Sequence, residues 1–234
     1  MPKVDLSFSI MGEHLPADHG YLVYSAVSRL LPAAHEAEAN PGRGSGDSYG
    51  IHPIRGRQLG GRTLQLTEHS RLVIRADANE IARFLPLAGK RLQLLDRSFC
   101  IGVPEVHAIV PAPALRSRLV TIKLADVAKS PLPPGEGRVR AANTFRAAAL
   151  RKLGELGISG EPEASASGCS AQLTLGKRRT LRIKDKEVVG YEVLVEGLTA
   201  AESIALQEHG LGGRRHMGCG IFVPFTGREA SHDL

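Results

Sequence analysis

The stretch Gly210-Leu-Gly-Gly-Arg-Arg-His-Met-Gly-Cys-Gly-Ile-Phe222 packs five glycines and two arginines between a predicted helix and a predicted terminal strand, His216 to Phe225. Glycine lets backbone approach backbone, and its amides can face a phosphate. On that reading Gly212, Gly218 and Gly220 are candidate phosphate contacts with the charge of Arg214 and Arg215 beside them, while the same glycines equally suit a tight structural hairpin. No Gly-Lys-Ser/Thr follows, so this is not a Walker loop, and it runs into a strand, which excludes a dinucleotide fingerprint. A second cationic run, Lys177-Arg178-Arg179 with Arg182, Lys184 and Lys186, lies on adjacent strand-like segments. The even spacing puts Arg182, Lys184 and Lys186 on one face of a regular strand. Arg146, Arg151 and Lys152 add charge on a predicted helix. Two such runs in a basic chain read as a phosphate track.

Among nine histidines, His35 stands three residues after Pro32, where a predicted helix ends and a polar, glycine-rich stretch begins. An imidazole with a pKa of about 6.5 takes up and releases protons near neutrality. Tyr24 lies on the helix that feeds this loop, and His52 sits at the end of a strand near it. His19, at the helix start, reads as a surface histidine. Arg43 and Arg55 are further cationic candidates near this loop. His14 and His19, like His209 and His216, are too loosely arranged for a metal site. The expectation is chemistry without metal or other cofactor.

Several classes of protein are set aside by bulk properties. The formal charge is +6 and the pI about 9.5, which points to a polyanionic partner. Aromatics are only 4% and tryptophan is absent, so binding by phosphate contacts and shape is favoured over stacked bases. Cys100, Cys169 and Cys219 are odd in number and far apart, with no CxxC pair, and read as free thiols in a reducing cytoplasm. Neither a signal peptide nor an apolar run of about 18 residues is visible, and the expected location is cytoplasmic, with no membrane partner.

The elements that must position these residues come in two rounds. Val4 to Met11 alternates as a half-buried strand does, and Leu15-Pro16-Ala17-Asp18 reads as a turn whose carboxylate caps the next helix. That helix carries Tyr21, Leu22, Ala26, Val27, Leu30 and Leu31 on its apolar face and runs to Pro32. After a loop at 36–49 come strands at 50–54, 63–67 and 71–75, a short helix at 79–85, and strands at 91–95 and 99–110. Pro111-Ala112-Pro113 reads as a linker. Then follow a strand at 115–124, a loop at 130–137, a helix at 139–156 capped by Gly157, strands at 170–175, 179–184 and 187–195, a helix at 200–208 and the terminal strand. The fold class is therefore α+β, with two tandem ferredoxin-like βαββαβ halves, 1–112 and 113–234.

The order Gly210, Gly212, Arg215, Gly218, Gly220, Phe222 resembles the C-terminal glycine-rich loop of the RAMP superfamily of CRISPR proteins. Leu15-Pro16, the helix Tyr21 to Pro32 and then His35 look like the first helix and catalytic loop of that superfamily's repeat-processing endoribonucleases. Gly50-Ile-His-Pro-Ile-Arg-Gly56 resembles the strand that follows in a subset of them. The resemblance implies an endoribonuclease that cuts CRISPR repeat RNA in precursor guide transcripts without metal. The 2′-hydroxyl attacks the adjacent phosphate and leaves a 2′,3′-cyclic phosphate and a 5′-hydroxyl. It implies His35 as the catalytic histidine, Tyr24 as a second catalytic position, His52 in reserve, and the 177–186 region as an RNA-gripping hairpin. Other subunits of a CRISPR surveillance complex are further expected partners. The alternative reading is a non-catalytic RAMP subunit that holds guide RNA in such a complex.

Overall fold

The computed structural model describes residues 2–32, 48–123, 136–159 and 171–227. The first strand, β1 (Lys3–Met11), buries every second side chain, Leu6, Phe8 and Ile10, as its alternation requires. It lies at the middle of a five-stranded antiparallel sheet. With β3 (Tyr49–Ile51), β6 (Arg71–Asp77), β7 (Arg91–Leu94) and β8 (Arg97–Ala108), the order is β3-β6-β1-β8-β7. Helix α1 (Gly20–Leu30) lays Val23, Ala26 and Val27 into the apolar cluster formed by the inner face of this sheet.

Three expectations for this half change. Leu15 and Pro16, the first half of the turn expected at Leu15 to Asp18, belong instead to a short strand, β2 (His14–Pro16), which with β4 (Arg57–Gly60) and β5 (Thr63–Gln65) makes a ribbon ordered β2-β5-β4. Leu15 is the reason: it is fully buried, and burying it fixes the backbone on either side. Asp18 does not cap α1. His19 occupies the cap position without a side-chain cap bond, and Asp18 Oδ2 accepts from the Arg182 amide at 2.8 Å. The short helix expected at 79–85 is a pair of 3-10 turns, Ala78–Arg83 and Leu85–Leu87. Pro86 supplies no amide donor and steers Leu85 away from α geometry.

In the second half, β9 (Ala114–Val120), β10 (Gln172–Ile183), β11 (Lys186–Glu196) and β12 (Val223–Pro224) pair antiparallel in the order β10-β11-β9-β12. Helix α2 (Glu136–Glu155) places Phe145, Ala149 and Leu153 on one face, where they join Leu115, Val193 and Val195 in a second core. It ends at Gly157 (φ +77°), as expected of a left-handed cap. Helix α3 (Ala200–His209) starts on a capping box: Thr199 Oγ1 accepts from the Glu202 amide, and the Glu202 carboxylate accepts from the Thr199 amide. The strands expected at 170–175 and 179–184 are one strand, bulged between Leu175 and Arg178. The terminal strand expected at 216–225 shrinks to Val223–Pro224, because most of that segment is spent on the glycine-rich loop. Residues 111–113 are not a free tether: the Ala112 amide donates to Ser203 Oγ, and Pro113 O accepts from the Leu198 amide. Among the described residues no helix is long and apolar enough to cross a membrane.

One buried side chain ties the halves together. Arg75 on β6 is 4% exposed. Its guanidinium grips both carboxylate oxygens of Asp5 at 2.7 Å and also donates to Phe222 O at 2.8 Å and Gln207 O at 3.0 Å. An arginine buried this way is tolerable because its charge is paired and its donors are used.

Candidate functional site

The glycine-rich loop is held by its own backbone. Gly220 has φ +66°, and a Cβ there would lie 2.1 Å from Leu211 O; at Gly212 (φ +78°) it would lie 2.2 Å from Thr121 O. Only glycine permits both the left-handed backbone and so close an approach. The Gly220 amide donates to Leu119 O at 2.7 Å and the Gly218 amide to Arg215 O at 3.0 Å. Those two amides therefore face backbone carbonyls and not a ligand. Between them and α3, residues Arg215–Met217 form a single 3-10 turn, flanked by left-handed Arg214 (φ +64°) and Gly218 (φ +82°).

Helix α1 docks on this turn. Gly20 begins the helix, and a Cβ on it would sit 2.2 Å from Met217 O. One turn further along the same face is Tyr24, whose ring lies 4.4 Å from the His216 ring at an angle of 46°. Both side chains are partly exposed. On the other side of the loop, Ile51 and Pro53 approach Gly218.

The histidines separate by environment. His35 and Arg43 lie outside the described residues. His52 is turned inward: its side chain is 11% exposed, with Nε2 3.4 Å from Asp5 Oδ1. Burial lowers its pKa, against the opposing pull of Asp5. Burial works against the Asp5 carboxylate, but the hydrogen-bonded Arg75 guanidinium and the neighbouring His52 ring win and hold it well below the usual range. His19, expected at the surface, is 2% exposed. Its Nδ1 is 2.8 Å from Pro16 O, and its Nε2 accepts from the Ile54 amide at 2.9 Å. Burial pushes its pKa down to about 4, so the ring is neutral and joins the helix start to the strand that follows. His19 is buried where the chain at Ile54, 35 residues further on, closes against the start of α1.

The cationic residues are also sorted. Lys177 and Arg178 project into solvent beside the bulge of β10, and Arg182 near its end is likewise exposed. Arg179 is different. It pairs with Glu192 at 3.5 Å, and Glu192 also holds Arg116 at 2.5 Å. The common strand face expected for Arg182, Lys184 and Lys186 ends at Ile183, because Lys184 takes φ +51° in the turn to β11. Arg146 and Arg151 are exposed on α2, while Lys152 pairs with Glu155. Arg55 is exposed. Arg215 donates to His209 O and lines a cavity of about 410 Å³ with Lys3, Asp77, Lys152 and Glu155. Of the cysteines, Cys219 is buried in the loop, Cys100 is exposed, and Cys169 lies outside the described residues.

A family model described as Cas6 Crispr matches residues 4–227. The chain belongs to the Cas6 family. The protein named CRISPR-associated endonuclease Cas6 from Myxococcus xanthus (strain DK1622) is 38% identical over 231 residues, which is 98% of this chain and 84% of that one. Two solved structures share the fold. One is described as a Cas6-related gene from Pyrococcus furiosus (TM-score 0.60, 15% identity) and the other as CRISPR associated protein Cas6 (TM-score 0.58, 14% identity). Each covers 96% of this chain and 99% of its own. The family resemblance read from the glycine-rich loop and first helix is thereby borne out.

Within this Cas6 chain, sequence reasoning missed two residues that the fold puts at the loop. In the sequence His216 reads only as a loose partner for His209, although it stands between the arginines and Gly218 of the motif. Arg75 carried no signal, since an arginine in a strand of alternating burial is indistinguishable from a solvated one until the second half packs on it.

Proposed function

We propose that this Cas6-family chain is an endoribonuclease that cuts the repeat in CRISPR precursor RNA and does so without metal. The observation that carries the reading is the family match across residues 4–227, joined by a relative named as an endonuclease over nearly the whole chain. The reaction is in-line transfer. The ribose 2′-oxygen forms a bond to the adjacent phosphorus, the bond from phosphorus to the 5′-oxygen breaks, and a 2′,3′-cyclic phosphate and a 5′-hydroxyl result.

His35 moves the proton, three residues beyond Pro32, and Tyr24 borders the reacting phosphate from α1. His52 is the reserve histidine, and its inward contact with Asp5 makes it the weaker of the two. RNA is gripped by Lys177, Arg178 and Arg182, exposed on β10. Arg179, Lys184, Arg146, Arg214 and Arg215 extend the phosphate track, and Gly212, Gly218 and Gly220 shape the loop beside it. Phosphate contacts of this kind supply affinity, while the shape of the repeat and its exposed bases supply selectivity. We read the architecture as two ferredoxin-like halves, 1–112 and 113–234. Support comes from the two separate cores and from the orders β8-β1-β6-β3 and β12-β9-β11-β10, which follow one connection pattern.

The test is cleavage of repeat RNA in excess EDTA by the wild type and by His35→Ala. The wild type cuts undiminished, and the variant is slower by about 10² to 10⁴ with little change in RNA affinity. Loss of wild-type cleavage on chelation, restored by magnesium, refutes the metal-free mechanism. RNA binding without cleavage under any condition returns the chain to the role of a guide-holding subunit.

A further inference from the structure

We propose that Arg62, on the first-half ribbon, and Arg182, at the end of β10, form one RNA-phosphate contact that spans both halves, with Asp18 setting their separation. The inference rests on the endoribonuclease reading above and adds a second arm to the grip ascribed there to β10. Three observations carry it.

The first is the junction at residues 17–20, which both halves hold. The Ala17 amide donates at 2.7 Å to Arg62 O, in the turn between β4 and β5. Ala17 O accepts from Arg118 Nη2 of β9 at 3.3 Å. Asp18 Oδ2 accepts from the Arg182 amide at 2.8 Å and stands 4.0 Å from Arg62 Nη2. Two residues on, a Cβ at Gly20 would lie 3.2 Å from Leu181 Cδ1, so the end of β10 packs directly on the start of α1. Among the described residues β10 is an edge strand of its sheet, and the Asp18 carboxylate takes up one of its outward amides.

The second observation is charge. The Asp18 side chain is 18% exposed, whereas that of Arg62 is 70% exposed. Asp185 and Glu187, in and after the turn to β11, are matched by Lys184 and Lys186. That leaves Arg62, the exposed Arg182 and the partly exposed Arg118 gathered about Asp18. Arg182 Nε donates to Lys184 O at 3.3 Å, which lays its guanidinium along the strand end. At 4.0 Å the pair of Arg62 with Asp18 is loose, and such a pair adds little to folding. A phosphodiester at this junction meets two guanidinium groups, whose planar donors suit its oxygens.

The third is the backbone at the ribbon tip. Gly60, Gly61 and Arg62 are all left-handed, with φ of +88°, +55° and +60°. Glycine adopts that conformation freely, and arginine does not. Strain kept at an exposed arginine points to a task for its side chain.

The experiment measures binding of the full chain to fluorescein-labelled repeat RNA with 2′-deoxyribose at the cleaved position, so that cleavage does not intervene. Anisotropy titrations over a range of salt are paired with thermal melts. Arg62→Gly is expected to weaken binding several-fold and to flatten the slope of log affinity against log salt by about 0.7. Its melting temperature should equal that of the wild type or exceed it, because glycine relieves the left-handed position. Asp18→Ala removes the acceptor for the Arg182 amide and is expected to weaken binding, although it also removes a negative charge beside the phosphate. Asp18→Asn keeps an oxygen acceptor without the charge and is expected to bind at least as tightly as wild type.

Wild-type affinity and salt slope in Arg62→Gly overturn the proposal. So does a lower melting temperature for that variant, which marks the arginine as a structural partner of Asp18. If Asp18→Ala binds as tightly as Asp18→Asn, the carboxylate is only a neighbouring charge and the joint contact is overturned. Where Asp18→Ala is too unstable to titrate, Arg62→Gly decides alone. Failure of the wild type to bind repeat RNA is a different result: it removes the endoribonuclease reading, and this contact with it.

Discussion

The glycine-rich loop at 210–222 and the basic strand pair β10–β11 look alike in sequence, each a short run of arginines among small or polar residues, but they are opposites in the folded chain. The loop faces inward. Gly218, Cys219, Gly220, Ile221 and Phe222 are buried, its amides meet backbone carbonyls, and its last carbonyl accepts from Arg75 in the other half. The strand pair faces outward, with Lys177, Arg178 and Arg182 in solvent and only Arg179 drawn into a pair with Glu192. Positive charge in a sequence therefore says nothing of its task. The loop fixes where Tyr24 and His216 stand, and the strand pair offers charge that a long polyanion can use.

If that division is right, damage to the loop costs stability and damage to the strand pair does not. The largest effect is expected from Gly220→Ala, which forces a Cβ to within 2.1 Å of Leu211 O at φ +66°. A destabilisation of about 4 kcal/mol follows from strain and clash together, read as a fall in the denaturant midpoint. A midpoint unchanged from wild type would mean that the loop is soft and the contrast false.

A somewhat smaller effect comes from acid. His19 binds its proton with a pKa of about 4 in the folded chain, against about 6.5 when unfolded. Its contribution is complete above the unfolded value. As the pH falls from there toward 4, the unfolded chain binds more protons and stability is lost, by about 3 kcal/mol for this ring alone. Burial lowers His52 as well, so it acts in the same direction. The seat of the loop is what suffers, because the Ile54 amide that His19 accepts adjoins Pro53, against which Gly218 rests. Denaturant titrations at pH 7 and 4.5 measure the loss, and equal stability at both would refute it.

The smallest effect on folding belongs to the triple variant Lys177→Ala, Arg178→Ala, Arg182→Ala. Its stability should stay within about 0.5 kcal/mol of wild type, as for exposed residues generally. RNA affinity should fall, and the slope of log affinity against log salt should flatten by about 0.7 for each phosphate contact removed. An unchanged slope returns these residues to ordinary solvated surface.

Much of this fold was legible from local chemistry. The alternation of Leu6, Phe8 and Ile10, the Thr199–Glu202 capping box and Gly157 after α2 each act within a few residues, and a sequence displays such signals directly. The glycine motif and the first helix were enough to identify the family. What stayed hidden depends on contacts between distant segments. Asp18 reads as a helix cap until Arg182, 164 residues away, brings its amide to the same oxygen. His19 reads as exposed until Ile54 covers it, and Arg75 as solvated until Phe222 and Gln207 turn their carbonyls to it. The pairing of Tyr24 with His216 is of the same kind. Residue type and spacing determined by themselves that this chain would carry two basic runs, a glycine-rich loop and a helix leading to His35. Only the packing of one half on the other decided which charges are buried and which imidazole stands beside Tyr24, because burial and proximity are properties of the assembled surfaces and not of either strand of sequence alone.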